Sequence, residues 1–358
     1  MTTTDHTPWT DAAIAALVRP NIRTLVPYSS ARSEFKGRAD VLLDANESPF
    51  DNGMNRYPEP LSTDIRQLLA GLKGVDADRI FLGNGSDEIV DQVTRVFCTP
   101  GVDSVVALPP TFGMYKVAAG INDVAFRAVT LRPDFTIPVE ELKGSWDESS
   151  KVLWLCSPNN PSGNLIDPAV VEDLIRSFPG IVVLDEAYID FIPEESFLPR
   201  LDEFSNLIIT QTLSKGWGMA GVRLGAAYAS EYIVTMLRAI KMPYNINVLT
   251  KAAALEALAA PERMRERVDL LISERRRLED ALGDMPFVEH IFPSVTNFLL
   301  VRFTDSDRVY NYLLTKGIVV RNQSYQPNAK NCLRITAGLP EENDALIAAL
   351  RALNSPQR

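Results

Sequence analysis

Thr210-Gln211-Thr212-Leu213-Ser214-Lys215-Gly216-Trp217-Gly218-Met219-Ala220-Gly221-Val222-Arg223 follows the apolar run Leu207-Ile208-Ile209, which reads as a buried strand. Three hydroxyl residues, one lysine and three glycines then turn the chain, and Arg223 comes eight residues after the lysine. A lysine crowded among small residues in a turn loses part of its hydration. That favours the neutral amine, a nucleophile suited to Schiff-base chemistry. Taken alone, a Ser-Lys turn reads more readily as a solvated lysine; the rest of the chain decides between the two.

Working outward, Ile181-Val182-Val183-Leu184-Asp185-Glu186-Ala187-Tyr188 ends an apolar strand in a carboxylate. Such an acid lies at the crevice where α/β sheets bind ligands. A magnesium-holding Asp of an ATPase would need Gly-x4-Gly-Lys-[Ser/Thr], which the sequence lacks. The other reading is an acid paired with a protonated pyridine nitrogen. Ser157-Pro158-Asn159-Asn160-Pro161-Ser162-Gly163 follows a strand at 151–156, and its prolines make a rigid turn that fixes the Asn160 amide. Gly83-Asn84-Gly85-Ser86-Asp87-Glu88 follows another strand and opens a helix. Glycines there let an anion approach the backbone, and the first-turn N–H groups of the helix receive it; an ordinary Ser N-cap is the competing reading. For an anion at Ser86, the Asp87 carboxylate is expected to point away. Arg223 would then neutralise the charge, with Ser214 and Thr212 as added donors. Phe112, in Pro109-Pro110-Thr111-Phe112-Gly113-Met114-Tyr115, sits just past a strand, where an aromatic ring either stacks on a flat ligand or joins the core.

With Ser214-Lys215-x-x-x-x-Ala220-Gly221-x-Arg223 and these turns in view, the chain resembles pyridoxal-phosphate (PLP) aminotransferases of the aspartate-aminotransferase fold type, fold type I. Among them it is most similar to the histidinol-phosphate aminotransferases, from about Tyr28 to Ala337. The resemblance implies that Lys215 carries PLP and then acts as general base, and that Asp185 pairs with the ring nitrogen. It further implies that Asn160 and Tyr188 flank the ring hydroxyl and Phe112 covers the ring face. The phosphate would rest on Ser86, Asp87, Thr212, Ser214 and Arg223. Tyr57, in Asn55-Arg56-Tyr57-Pro58-Glu59-Pro60, would reach the neighbouring subunit's cofactor phosphate across a homodimer; alone, it reads as a ring packed on its prolines. Tyr28, Asn46, Arg321 and Arg334 are implied as the substrate-binding set. Arg334 would fork onto an anionic group, and Arg321 thirteen residues earlier would be a second cation suited to a substrate phosphate. The implied reaction is ping-pong transamination of L-histidinol phosphate with 2-oxoglutarate. Relatives with similar motifs transaminate aromatic amino acids or decarboxylate threonine phosphate. The sequence departs from the family at Gly216-Trp217-Gly218-Met219, often Ala-Phe-x-Leu, and at Ser162, often Thr.

Bulk properties set the frame. A chain of 358 residues has room for a large core and a second domain. A net charge of −10 and a pI near 4.9 argue against nucleic-acid or anionic-membrane partners, and leave small anionic substrates to a local basic pocket. Cys98, Cys156 and Cys332 are too scattered for a disulfide framework or zinc site, so no metal and a reducing, cytoplasmic compartment are expected. No apolar run is long enough for a membrane span, and the polar Met1–Thr10 segment, with Asp5, is not a signal peptide. Only His6 and His290 occur, which disfavours histidine-centred chemistry. A ligand-sensing domain of a regulator is a non-enzymatic alternative, but it would need an attached DNA-binding segment that neither terminus accommodates.

The expected fold is α/β: a doubly wound, mainly parallel sheet plus a smaller α+β domain. Strands are expected at 79–82, 104–108, 124–130, 151–156, 181–185, 207–211 and 224–228, with helices at 86–98, 111–120 and 169–177. After Pro243 come helices at 247–259 and 262–282, then strands at 297–303, 318–320 and 332–336 with helices at 305–314 and 341–353. Residues 1–44 are expected to join the small domain, 45–245 to form the large one and 246–358 the rest. Within the first of these, 1–12 reads as a tail, a helix starts at Asp11, and 41–49 is a strand running into a turn. Glu274-Arg275-Arg276-Arg277 reads as a solvated face or ion-pair surface.

Overall fold

The computed structural model describes residues 9–29, 31–35, 37 and 39–354, apart from the side chains of residues 33 and 354. Asp5, His6 and Ser30 lie outside them. The strands, in chain order, are β1 (Ile80–Asn84), β2 (Ser104–Ala107), β3 (Ala125–Ala128), β4 (Ser150–Cys156), β5 (Ile181–Asp185), β6 (Leu207–Thr212) and β7 (Leu224–Tyr228). They form one sheet in the order β1-β7-β6-β5-β4-β2-β3. All neighbours pair parallel except at β7, which runs antiparallel to both β1 and β6.

Alternation along β5 shows why the sheet is covered on both sides. Val182 and Leu184 join one buried cluster with Leu153, Leu155, Leu207 and Ile209. Ile181 and Val183 join the cluster on the other face with Val105, Val152, Trp154 and Ile208. A strand apolar at every position has no solvent face to offer, so helices must close both sides. The helix Ser86–Phe97 does so through Ile89, Val90, Val93 and Val96, while Pro168–Ser177 covers the opposite side through Val171, Leu174 and Ile175.

The second sheet is antiparallel, with β8 (Val288–Phe292), β9 (Phe298–Phe303), β10 (Arg321–Asn322) and β11 (Cys332–Thr336) in the order β10-β11-β9-β8. Its core joins Leu299, Val301, Leu333 and Ile335 to the helices Pro261–Gly283, Ser306–Thr315 and Pro340–Asn354. Pro261 starts the long helix rather than merely interrupting two, since its missing N–H is an orphan at a first turn. The two sheets meet where Phe298 of β9 packs edge-on against Tyr188, with Phe191 and Val268 beside them.

Several expectations are corrected. Residues 41–49 form no strand. Asn46 is left-handed (φ 54°), and the Glu47 carboxylate gathers Arg32, Arg56 and the Tyr57 N–H into a knot of charge-assisted bonds that replaces ladder pairing. The strand expected at 318–320 falls instead at Arg321–Asn322. The helix expected from Thr111 begins at Met114, and β8 and the helices Thr63–Lys73, Val139–Ser145 and Glu231–Ile240 were not foreseen. Of the first 44 residues, the helices Asp11–Leu17 and Pro20–Arg23 do not join the small sheet. Ile14, Val18 and Ile22 pack into the large sheet's core with Ile233, Val234 and Leu237. Nor is the 274–277 run simply solvated: Glu274 and Arg275 are buried, Glu274 pairing with Arg277 and accepting from Asn343, and Arg275 donating to the Thr296 carbonyl.

The sheet also fixes the turn after β1. Gly225 of β7 lies under Gly85 and Ser86, and a Cβ on Gly225 would stand 2.6 Å from the Ser86 nitrogen. Nothing there can yield except backbone. Gly225→Ala is therefore expected to destabilise the protein by roughly 1–3 kcal/mol, read from the midpoint of denaturant unfolding.

Candidate active site

The large sheet reverses its winding between β4 and β2, and loops leaving such strands open a crevice at their C-terminal ends. Phe112 lies on the loop after β2 and Asn160 on the loop after β4. Asp185 ends β5, in register with Cys156 on one side and Thr210 on the other. A cavity of about 630 Å³ opens there. Ser86, Asp87, Phe112, Asn160, Asp185, Tyr188, Thr212, Ser214, Lys215, Arg223, Arg321 and Arg334 all contribute to its wall. Tyr28, Asn46 and Tyr57 do not: Tyr28 is 74% exposed, and Tyr57, 51% exposed, stacks on Tyr244 at 4.4 Å.

Asp185 forms the floor. It is 2% exposed, and burial pushes its carboxyl above the usual range. Three donors work against that: Tyr115 Oη at 2.6 Å, Thr210 Oγ1 at 3.1 Å and the Ala187 N–H at 3.2 Å. The next residue, Glu186, faces the opposite side of the strand and accepts from Ser196, Gln211 and the Phe197 N–H, a role confined to the framework.

Lys215 stands in the turn after β6, where Gly218 N–H closes back onto its carbonyl at 2.9 Å. Its Nζ lies 5.6 Å from the centre of the Tyr188 ring. Burial lowers its pKa, and the Arg334 cation lowers it further, with Asp185 and Asp87 opposing. The desolvated lysine foreseen from the sequence is present. Trp217 joins the apolar cluster beneath the sheet and does not line this cavity.

An anion cradle flanks the lysine. The helix Ser86–Phe97 starts at Gly85 with no side-chain cap, which leaves its first-turn N–H groups to a ligand. Arg223, itself left-handed (φ 57°), swings back over this turn. A Cβ on Gly85 would come 2.5 Å from its Nη2, so glycine is required there. Thr212 and Ser214 face each other through their hydroxyls at 2.9 Å. Asp87 departs from expectation: rather than pointing away, it accepts from Arg223 Nη2 at 3.0 Å, the cation drawing the carboxylate to the rim. Backbone N–H groups, hydroxyls and an arginine suit a phosphate, and a buried acid below suits a protonated ring nitrogen. The donor set fits a phosphorylated pyridine.

The small sheet supplies the opposite wall. Arg321 and Arg334 are direct partners in the β10–β11 pair, which is why residues thirteen apart reach one cavity. Arg334 donates to Asn160 Oδ1, so the Asn160 amide presents its donor end elsewhere. Arg321 approaches the Tyr325 hydroxyl at 3.4 Å. Like charges directly opposite on paired strands are unfavourable unless something shares them, and an anion does. The sequence reading missed Tyr115, Thr111, Met114, Gln323, Tyr325 and Gln326. Tyr115 was within reach, standing one helical turn beyond Phe112; the glutamines and Tyr325 sit in an irregular loop with no periodic signal.

Residues 37–350 match the family described as aminotransferase class I and II. A relative from Parabacteroides distasonis named histidinol-phosphate aminotransferase is 52% identical, covering 94% of this chain and 97% of that protein. A protein of the same name from Flavobacterium johnsoniae is 46% identical over 95% of this chain and 99% of its own. The crystal structure of a histidinol-phosphate aminotransferase from Sinorhizobium meliloti in complex with pyridoxal-5'-phosphate superposes with a TM-score of 0.76 at 24% identity, covering 83% of this chain and 84% of that one.

Arg334→Gln removes a cation that opposes the Lys215 ammonium, so the Lys215 pKa is expected to rise. In cofactor-free protein, the pH at which Lys215 becomes half-reactive toward an acylating reagent, followed by peptide mass spectrometry, should move up. An unchanged pH would remove Arg334 as a cause of the shift.

Proposed function

The chain belongs to the class I and II aminotransferases, and from that premise we propose that it is a PLP-dependent transaminase of histidine biosynthesis. It interconverts L-histidinol phosphate and 2-oxoglutarate with imidazole-acetol phosphate and L-glutamate. The observation that carries this is the pairing of Arg321 with Arg334 across from Lys215 in one cavity, which suits an anionic substrate larger than a simple amino acid.

PLP, when bound, supplies an aldehyde carbon that takes up the amino group and a ring that spreads negative charge from the substrate Cα. The residues divide the remaining work. Arg223, Ser214, Thr212 and the first-turn N–H groups at Ser86 and Asp87 hold the cofactor phosphate. Asp185 holds a proton on the ring nitrogen. Asn160, by its donor end, and Tyr188 orient the ring hydroxyl, while Phe112 covers the ring face. Lys215, its pKa lowered by burial and the nearby arginine, takes the proton from the substrate Cα at Nζ and returns it. Arg334 and Arg321 bind the anionic end of each substrate in turn. Tyr28 and Asn46, outside this cavity wall, are assigned to closure over the substrate, and Tyr57 to the site of a second copy in a cytoplasmic homodimer. The large domain is taken as 45–245 and the small one as 246–358 with part of 1–44. Among the described residues, no helix is long and apolar enough to cross a membrane.

Borohydride reduction of the PLP-loaded protein should place the label on Lys215; label on another lysine would refute the assignment. Half-reactions with histidinol phosphate, phenylalanine and threonine phosphate decide the substrate, and a clear preference for phenylalanine would sink the first choice. Arg334→Ala is expected to raise KM for histidinol phosphate and glutamate together, each by about tenfold or more. Sedimentation should give a dimer, and Tyr57→Phe should weaken PLP retention without dissociating it; a monomer with full activity would remove Tyr57 from the site.

A further inference from the structure

The acid beneath the cavity has a partner that the functional assignment above does not use. Tyr115 is completely buried, and its hydroxyl donates to Asp185 Oδ2 at 2.6 Å. The ring cannot shift easily. It stacks on Trp154 at 4.7 Å with 12° between planes, and stands edge-on to Phe112 at 5.6 Å and 85°. Thr210 Oγ1 and the Ala187 N–H fill the other oxygen, Oδ1, at 3.1 and 3.2 Å. A carboxylate offers about four acceptor positions. Three are committed to protein donors, and the residue still lines the cavity. The fourth therefore faces a ligand.

Both hydroxyls are held on the carboxylate from opposite sides by strand and helix, not by mobile loop. Thr210 belongs to β6, in register with Asp185, and Tyr115 to the first turn of the helix Met114–Ile121. Burial keeps the Tyr115 hydroxyl protonated far above the ordinary tyrosine range, so it meets Asp185 as a donor. A donor to a carboxylate favours its charged form and makes it a weaker base. A weaker base leaves a shared proton on the nitrogen opposite.

We propose that Tyr115, assisted by Thr210, is a positioning residue that keeps Asp185 ionised and aimed at the ring nitrogen, so that the proton between them resides on the cofactor. This rests on the PLP reading above and deepens it. Tyr115 touches neither substrate nor reacting atoms; it acts through Asp185, and through its contact with Phe112 it ties the ring-facing aromatic to the same acid.

The test compares PLP with 1-deaza-PLP, which carries carbon in place of the ring nitrogen, on full-length protein stripped of cofactor. Tyr115→Phe keeps the ring and its packing and removes only the hydroxyl. Its affinity for PLP is expected to fall about tenfold, in line with a hydrogen bond to a charged group, while its affinity for 1-deaza-PLP stays at the wild-type value. With ring-15N PLP, the nitrogen signal of the variant should move from the pyridinium position toward that of neutral pyridine. Equal losses for both cofactors, or no loss for either, would overturn the proposal and leave Tyr115 a packing residue. If Tyr115→Phe does not fold, Thr210→Val carries the same comparison from the other oxygen, with the same expected discrimination and the same refuting result. A wild-type protein that takes up neither cofactor would overturn the PLP reading itself, and is told apart because it needs no variant.

Discussion

The structure depends on one carboxylate held in a place that disfavours its charge, with donors that favour it. Removing an ion from water costs several kcal/mol even after relaxation, and Asp185 lies wholly inside, at the end of a central parallel strand. Its neighbours are arranged around that cost. β4 and β6 hold it in register, the Thr210 and Tyr115 hydroxyls reach it from two sides, and the chain's own N–H at Ala187 closes the third. A ligand with a protonated nitrogen would complement such a carboxylate.

Lys215 presents the opposite case. Burial and the neighbouring Arg334 both push its amine toward neutrality, whereas Asp185 and Asp87 restrain the shift. A buried acid and a base shifted toward its neutral form, in one cavity, suit proton transfer at carbon. The two sheets share the cavity. The large sheet carries Asp185, Lys215 and the anion cradle, and the small sheet carries the arginine pair. They are joined by the Arg334–Asn160 hydrogen bond and by Phe298 against Tyr188. An anion bound at the arginines would thereby be coupled to Asn160 on the large sheet.

Much of this was legible before any coordinates. β4 to β7 could be read because strands covered on both faces carry apolar runs, and each ended in a recognisable turn. Lys215, Asp185, Asn160 and Arg223 could be read for the same reason: polar residues stand out where an apolar run stops; Phe112 was read from its place just past a strand. Residues 41–49 misled, because Val41-Leu42-Leu43 has strand composition but no strand to pair with, and Glu47 offers Arg32 and Arg56 a stronger bond than a ladder would. The core that receives the helix at Ile14 and the burial of Arg275 were equally hidden, since an amphipathic segment does not state which of two cores will receive it.

Local sequence thus determined the strands of the large sheet and which polar residues stand at their ends, because hydrophobic period and turn residues act over a few positions. Only the tertiary structure decided how those residues are tuned. Asp87 meets Arg223 from 136 residues away, Arg334 meets Asn160 from 174, and Tyr115 meets Asp185 from 70. Charge state and orientation at a buried site are set by whatever the fold brings within hydrogen-bonding distance, and no local pattern records those encounters.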